Sequence, residues 1–229
     1  MPRKYIRRRR KRPYRKRKKK TTILSTRDIT GVNSFPMGKR FRTTTRYCTH
    51  RHILNPGIGG LPAQLVFSLN SIYDPDVSGV GHQALGFDQF MSMYDHYTVT
   101  HARARILYTN TDVAFDQYAF CYIKDSSVLT SDFNQIIENG MCRLTTLGEE
   151  GTDSCNRELA ININCHKFFN QNVLNEENYA GGAVSSPADQ VYLHVGCMPV
   201  LATDSQAVHF TIIIEYDVVF HEPKQLGTS

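Results

Sequence analysis

The side chains with the most chemistry to offer in this 229-residue chain are crowded into its first twenty positions, MPRKYIRRRRKRPYRKRKKK. Arg3, Lys4, Arg7, Arg8, Arg9, Arg10, Lys11, Arg12, Arg15, Lys16, Arg17, Lys18, Lys19 and Lys20 supply 14 positive charges with no Asp or Glu among them. Guanidinium forks grip phosphate oxygens in pairs and ammonium groups act as mobile point charges, so a run this dense suits a polyanion. Tyr5 and Tyr14, set within the run, add rings on which unpaired bases stack. These basic residues and the two tyrosines are the candidate nucleic-acid-binding site. The same tract fits a nuclear import signal. Its apolar residues, Ile6 and the two tyrosines, make no amphipathic face, which argues against a membrane-surface peptide.

The rest of the chain has the opposite sign. Of 27 basic residues, 13 remain after position 20, against all 21 acidic ones, so residues 21–229 are net −8 beneath an overall +6. With the boundary at Arg51 the contrast sharpens, since only seven basic residues then face 20 acidic ones. The chain is an electrostatic dipole whose amino end wants a polyanion. Lys39, Arg40 and Arg42 either continue that contact or line a solvated strand edge.

Other reactive residue types lack partners. His82 lies near Asp74, Asp76 and Asp88, but no nucleophile accompanies it, and a histidine in an exposed turn is expected to be structural. His50 and His52 have the i, i+2 spacing that puts two side chains on one face of a strand; without a third ligand they read as surface or interface residues. Asp74, Asp76 and Asp88 have the oxygen chemistry of a Ca²⁺ site between subunits, against the simpler reading as turn caps. There is no G-x-x-x-x-G-K-[ST] loop and no G-x-S-x-G elbow, and Gly79-x-Gly81 lacks the third glycine of a nucleotide fingerprint. The expectation is a protein that is not an enzyme and takes no cofactor and no metal. Six cysteines without a C-x-x-C pair are expected to be free and mostly buried.

No stretch approaches the roughly 18 apolar residues of a membrane span, and the amino terminus is too charged for a secretory signal, so a soluble intracellular protein without membrane insertion is expected. Residues 1–20 cannot bury enough apolar surface to offset chain entropy and read as a disordered arm. Residues 21–42 read as a linker, and 43–229 as one folded domain.

Within that domain the periodicity is that of strands. Segments 43–54, 64–72, 97–109, 117–124, 141–147, 159–165, 190–198 and 208–220 alternate or are rich in β-branched and aromatic residues, with turn signals between them. Val208, Phe210, Ile212, Ile214, Tyr216, Val218 and Phe220 fall on one side of the cleanest run. In the third, Ala102, Ala104, Ile106 and Tyr108 alternate with Arg103 and Arg105, one face for packing and one for charge. Helix period appears at Phe87, Phe90, Met91 and Tyr94, a short insert placed to plug one end of a sandwich. The polar stretch after Cys165, through Gly181-Gly182, reads as a long surface loop. Eight antiparallel strands and long loops predict an all-β fold, a single eight-stranded jelly roll, in preference to an immunoglobulin-like sandwich, whose core Trp is missing.

The stretch around that helix carries a resemblance. N-x-x-Y-D-P-x-x-x-G-x-G-H-Q-x-x-G-F-D-x-x-x-x-M-Y, matched by Asn70, Tyr73, Asp74, Pro75, Gly79, Gly81, His82, Gln83, Gly86, Phe87, Asp88, Met93 and Tyr94, resembles the capsid proteins of circovirus-like viruses, whose genomes are circular single-stranded DNA. The resemblance implies a capsid subunit that assembles as about sixty copies around a single-stranded DNA genome. It also implies the virion and, during assembly, the host nucleus as locations, with a host nuclear import receptor and a host-cell attachment factor as partners. The alternative is a non-viral nucleic-acid-binding protein of the ribosomal or chromatin kind, monomeric or a small oligomer; its acidic body argues against it, because such a monomer usually spreads basic residues over its folded surface.

Overall fold

The computed structural model describes residues 38–56, 59–201 and 207–225. The arm expected over 1–20 and the linker as far as Met37 lie outside the described residues. The described strands are β1 (Arg40–Leu54), β2 (Ala63–Ser68), β3 (Tyr94–Asn110), β4 (Gln117–Lys124), β5 (Cys142–Leu147), β6 (Asn156–Asn164), β7 (Ala180–Gly181), β8 (Tyr192–Pro199) and β9 (Val208–Pro223). They form two antiparallel sheets, β1-β9-β3-β6, with β7 beside β3, and β2-β8-β4-β5. The chain crosses repeatedly between two facing sheets, with β4 and β5 the consecutive pair that shares one sheet as a hairpin, the arrangement of a jelly roll. The eight expected strands are present, joined by the two-residue β7.

The period-2 pattern makes this architecture. On β9 the seven residues from Val208 to Phe220 picked out by alternation are all buried. On β3, Ala102, Ala104, Ile106 and Tyr108 are buried, while Arg103 and Arg105 point to solvent. Two tyrosine hydroxyls tie sheet to sheet across this core: Tyr108 donates to the Phe120 carbonyl on β4, and Tyr216 donates to the Ser68 carbonyl at the end of β2, both at 2.7 Å. Each satisfies a polar group that would otherwise cost free energy at such depth.

Helix α1 (Phe87–Met91) follows a left-handed Gly86, φ 85°, and seals one end of the sandwich. Phe87 and Met91 are buried, and Phe90 stacks on Phe220 with ring centroids 4.8 Å apart. Tyr94, the last member of the predicted stripe, is buried as well, but it opens β3 instead of extending the helix.

Several expectations are corrected. β1 begins at Arg40, pairing with His221, so Arg40 and Arg42 belong to a strand and not to the linker. β1 and β9 slip register between Thr49 and His52, where Arg51 has φ 61°; the bulge turns His52 inward onto Phe210 (5.1 Å) and leaves His50 exposed, so the two histidines share no face. β2 stops at Ser68, because the chain then turns and Asn70 faces Val191 N–H and the Asp189 carbonyl. β4 is buried on both faces, since helix α2 (Phe133–Glu138) lays Ile136 over Phe120 and Tyr122. The loop expected after Cys165 carries structure too: α3 (Cys165–Phe168) leads into it, and a 3-10 turn at Glu177–Tyr179 and buried Val173 and Tyr179 follow. All six cysteines are free, but only Cys121, Cys165 and Cys197 are buried; Cys48 is exposed.

Candidate nucleic-acid interface

The sixteen arm positions from Arg3 to Lys20 lie outside the described residues, and the structure assigns them no position. What it does describe is the outer face of the first sheet, which carries further arginines. β1 enters at Arg40, and alternation sends Arg40, Arg42, Thr44, Arg46 and Cys48 to the outer face of the first sheet, because their neighbours Thr45 and Tyr47 point into the core.

Register sets what these residues meet. Arg46 lies opposite Glu215 of β9, which lies opposite Arg103 of β3, which lies opposite Asn162 of β6. The adjacent rows are Thr44, Asp217, His101 and Asn164 on one side and Cys48, Ile213, Arg105 and Ala160 on the other. Three ion pairs run across them. Arg46 bonds Glu215, Arg103 grips both oxygens of Asp217 at 2.8 and 2.9 Å, and Arg105 does the same to Glu158 at 2.7 and 3.1 Å. Hydrogen bonding to Arg105 holds the Glu158 carboxyl below its ordinary value. The three guanidinium side chains remain 64%, 52% and 59% exposed, so water screens each pair and it exchanges readily with other anions. Between the arginines lies a shallow groove of about 550 Å³ with Cys48, Ile213 and Ala160 among its lining. Arg40 and Arg42 have no ion pair among the described residues.

The stretch from Leu69 to Gly86 fixes this sheet's free edge. Leu85 N–H donates to the Arg46 carbonyl at 3.0 Å, and His82 Nε2 lies 3.0 Å from the Cys48 carbonyl. Further back the same loop bonds β2, with Val77 N–H to the Val66 carbonyl and Ser68 N–H to the Pro75 carbonyl. One loop thus occupies an open edge of each sheet, where unpaired backbone would otherwise invite another strand. Gly81 is required in it, because a Cβ there would stand 2.6 Å from the Asp76 Cβ.

The remaining candidates have structural posts. Asp76 is buried and its Oδ1 accepts from Ser78 N–H at 3.0 Å and Ser78 Oγ at 2.7 Å, a turn cap. Burial, then the neighbouring Asp76, raises the Asp74 carboxyl. Asp88 lies in the first turn of α1. Sequence reading found Arg103 and Arg105 by alternation but missed that Arg46, Glu215 and Asp217 join them; the signal was available, since Glu215 and Asp217 alternate with the apolar residues of β9.

No protein-family model matches the chain, and no curated protein does. Solved structures do resemble it at a distance. Turnip yellow mosaic virus is 13% identical over 83% of this chain and 99% of that chain, with a TM-score of 0.43. A virus-like particle of the Macrobrachium rosenbergii nodavirus is 8% identical over 82% and 97%, with a TM-score of 0.48. Tobacco necrosis virus is 10% identical over 82% and 85%, with a TM-score of 0.44. Likeness this remote says nothing of what the chain binds.

Proposed function

We propose that the chain is the capsid subunit of a circovirus-like virus, assembling into a closed icosahedral shell of about sixty copies around single-stranded DNA. The observation that carries this reading is the split of charge, 14 basic and no acidic residues in positions 1–20 against net −8 in 21–229. An acidic folded body with a separate basic tract suits a subunit that keeps the nucleic acid on one side of it. The jelly roll supports the reading by providing a rigid tile with both of its first strand edges covered, and the Asn70–Tyr94 run supports the family. On this reading residues 1–20 are the packaging arm, the stretch after them leads to the shell, and the shell domain runs from β1 onward. The arm holds DNA by charge and by stacking on Tyr5 and Tyr14, so sequence preference is slight. It also serves a host nuclear import receptor, which places assembly in the nucleus, while loops on the outside of the virion meet a host-cell attachment factor. The subunit is a structural protein and not an enzyme.

Deleting residues 1–20 tests the division. The shortened protein is expected to keep its β-type circular dichroism, since a tract with 14 basic residues in 20 has little apolar surface to give a core, and to lose single-stranded DNA at physiological salt. Loss of the β spectrum, or DNA retained in full, would overturn it.

A further inference from the structure

We propose that the outer face of the first sheet, from Arg40 and Arg42 through Arg46 to Arg103 and Arg105, is a second nucleic-acid contact that takes the sugar–phosphate backbone of a single strand running on from the arm. This rests on the capsid reading for the identity of the polyanion, but its observations are those of the folded body.

The first is where the charge falls. Residues 52–229 contain only seven basic residues against 20 acidic ones, yet two of the seven, Arg103 and Arg105, stand on the same face as three arginines of β1. Five arginines there meet three carboxylates, Glu158, Glu215 and Asp217, which makes this patch positive within an acidic body. The outer face of the second sheet differs, since α2 covers its Phe120 and Tyr122.

The second is spacing. Alternate residues on one strand lie about 6.8 Å apart and adjacent strands about 4.8 Å, so the arginines form a two-dimensional array about 27 Å long. The unpaired Arg40 and Arg42 stand at the start of β1, and the paired arginines stand further along.

The third is unused hydrogen-bonding capacity. A guanidinium carries five N–H donors, and a carboxylate engages one or two of them here. Glu215, Asp217 and Glu158 therefore hold three guanidinium planes out over the sheet with donors still facing solvent. The groove of about 550 Å³ between them has Cys48, Ile213 and Ala160 at its floor, room for a sugar but no aromatic ring to read a base. Binding is accordingly to phosphate, independent of sequence.

The test uses the full chain, below the concentration at which it assembles, with an oligothymidine of about 40 nucleotides followed by fluorescence anisotropy over a salt series. For single strands the slope of log K against log salt changes by about 0.7 per phosphate contact. Arg40→Gln with Arg42→Gln, and separately Arg103→Gln with Arg105→Gln, should each make the slope shallower by about 1.4. Arg40→Lys with Arg42→Lys should restore it, which a merely structural role for these exposed side chains would not do. Asp217→Asn, by freeing Arg103, should tighten binding. Replacing Arg7, Arg8, Arg9 and Arg10 by Gln tests the arm separately. If that variant loses most of its affinity while both sheet pairs keep the wild-type slope, the second contact is overturned and the packaging arm stands. If the arm variant binds as the wild type does, the capsid reading fails instead.

Discussion

Burial lowers the pKa of three histidines, and this shapes how the fold responds to acid. His194 is buried in β8 with its ring stacked on Tyr122 at 4.5 Å and its Nε2 2.8 Å from the Ser126 carbonyl. Burial lowers its pKa below 6.5, with Lys124 adding in the same sense and the Ser126 bond opposing. His52, turned inward by the bulge, and His221, beside Glu222, His96 and Arg40, are lowered by burial too. In the unfolded chain all three titrate near 6.5, so below that pH the unfolded state binds more protons than the folded one. Stability therefore rises with pH through this window and falls as pH drops below about 6.5, levelling off only below the folded-state values. The thermal midpoint of the unassembled subunit measured from pH 8 to pH 5 should decline on the acid side; a flat profile across pH 6.5 would contradict it. Little of this was legible in the sequence. His52 looked like a strand-surface residue because alternation was carried through Arg51, and only the register slip, which no local signal announces, brings it inside.

At the scale of elements, strands were readable whether one face is buried or both, but which face a residue serves was readable only where one face is buried. β9 alternates without fault, and every inward position named from its sequence is buried. This register has a sharp consequence. Phe210→Asp places a charge in the core at a cost of several kcal/mol, a large share of a typical stability of about 5–15 kcal/mol, and should abolish soluble expression. Thr211→Asp, on the outward face, should leave folding intact; tolerance at Phe210 with failure at Thr211 would show the register shifted by one. β4 and β8 are harder to read, because α2 supplies a second apolar layer that turns alternating patterns into continuous ones. There packing is tight enough to fix a glycine. A Cβ on Gly196 would stand 2.4 Å from Phe120 Cζ and 2.9 Å from the Ala63 carbonyl oxygen. Gly196→Ala should therefore lower stability by about 1–3 kcal/mol in denaturant titration, whereas a change under about 0.5 kcal/mol would mean that strand and ring move apart freely.

For the whole molecule, the proposed capsid role would make assembly depend on cargo through charge. Each copy carries net +6, and on the proposed capsid reading about sixty of them would gather roughly 360 net positive charges in one particle, with 14 basic residues per arm supplying roughly 840 on the inside. The Debye length is about 10 Å at 0.1 M salt, so arms converging in a closed interior repel one another unless a polyanion lies between them. A single strand carries one phosphate per nucleotide, and mobile counterions share the neutralisation, so the expected cargo is on the order of one to two thousand nucleotides. The full-length subunit in low salt without nucleic acid should thus sediment as a small species and close into particles when single-stranded DNA is added. The chain lacking residues 1–20 should lose that dependence. Nuclease digestion of the particles should leave single-stranded nucleic acid of the expected length. Particles that close equally well without DNA in low salt, or that protect a duplex many times longer, would show that the basic tract does not neutralise a packaged strand.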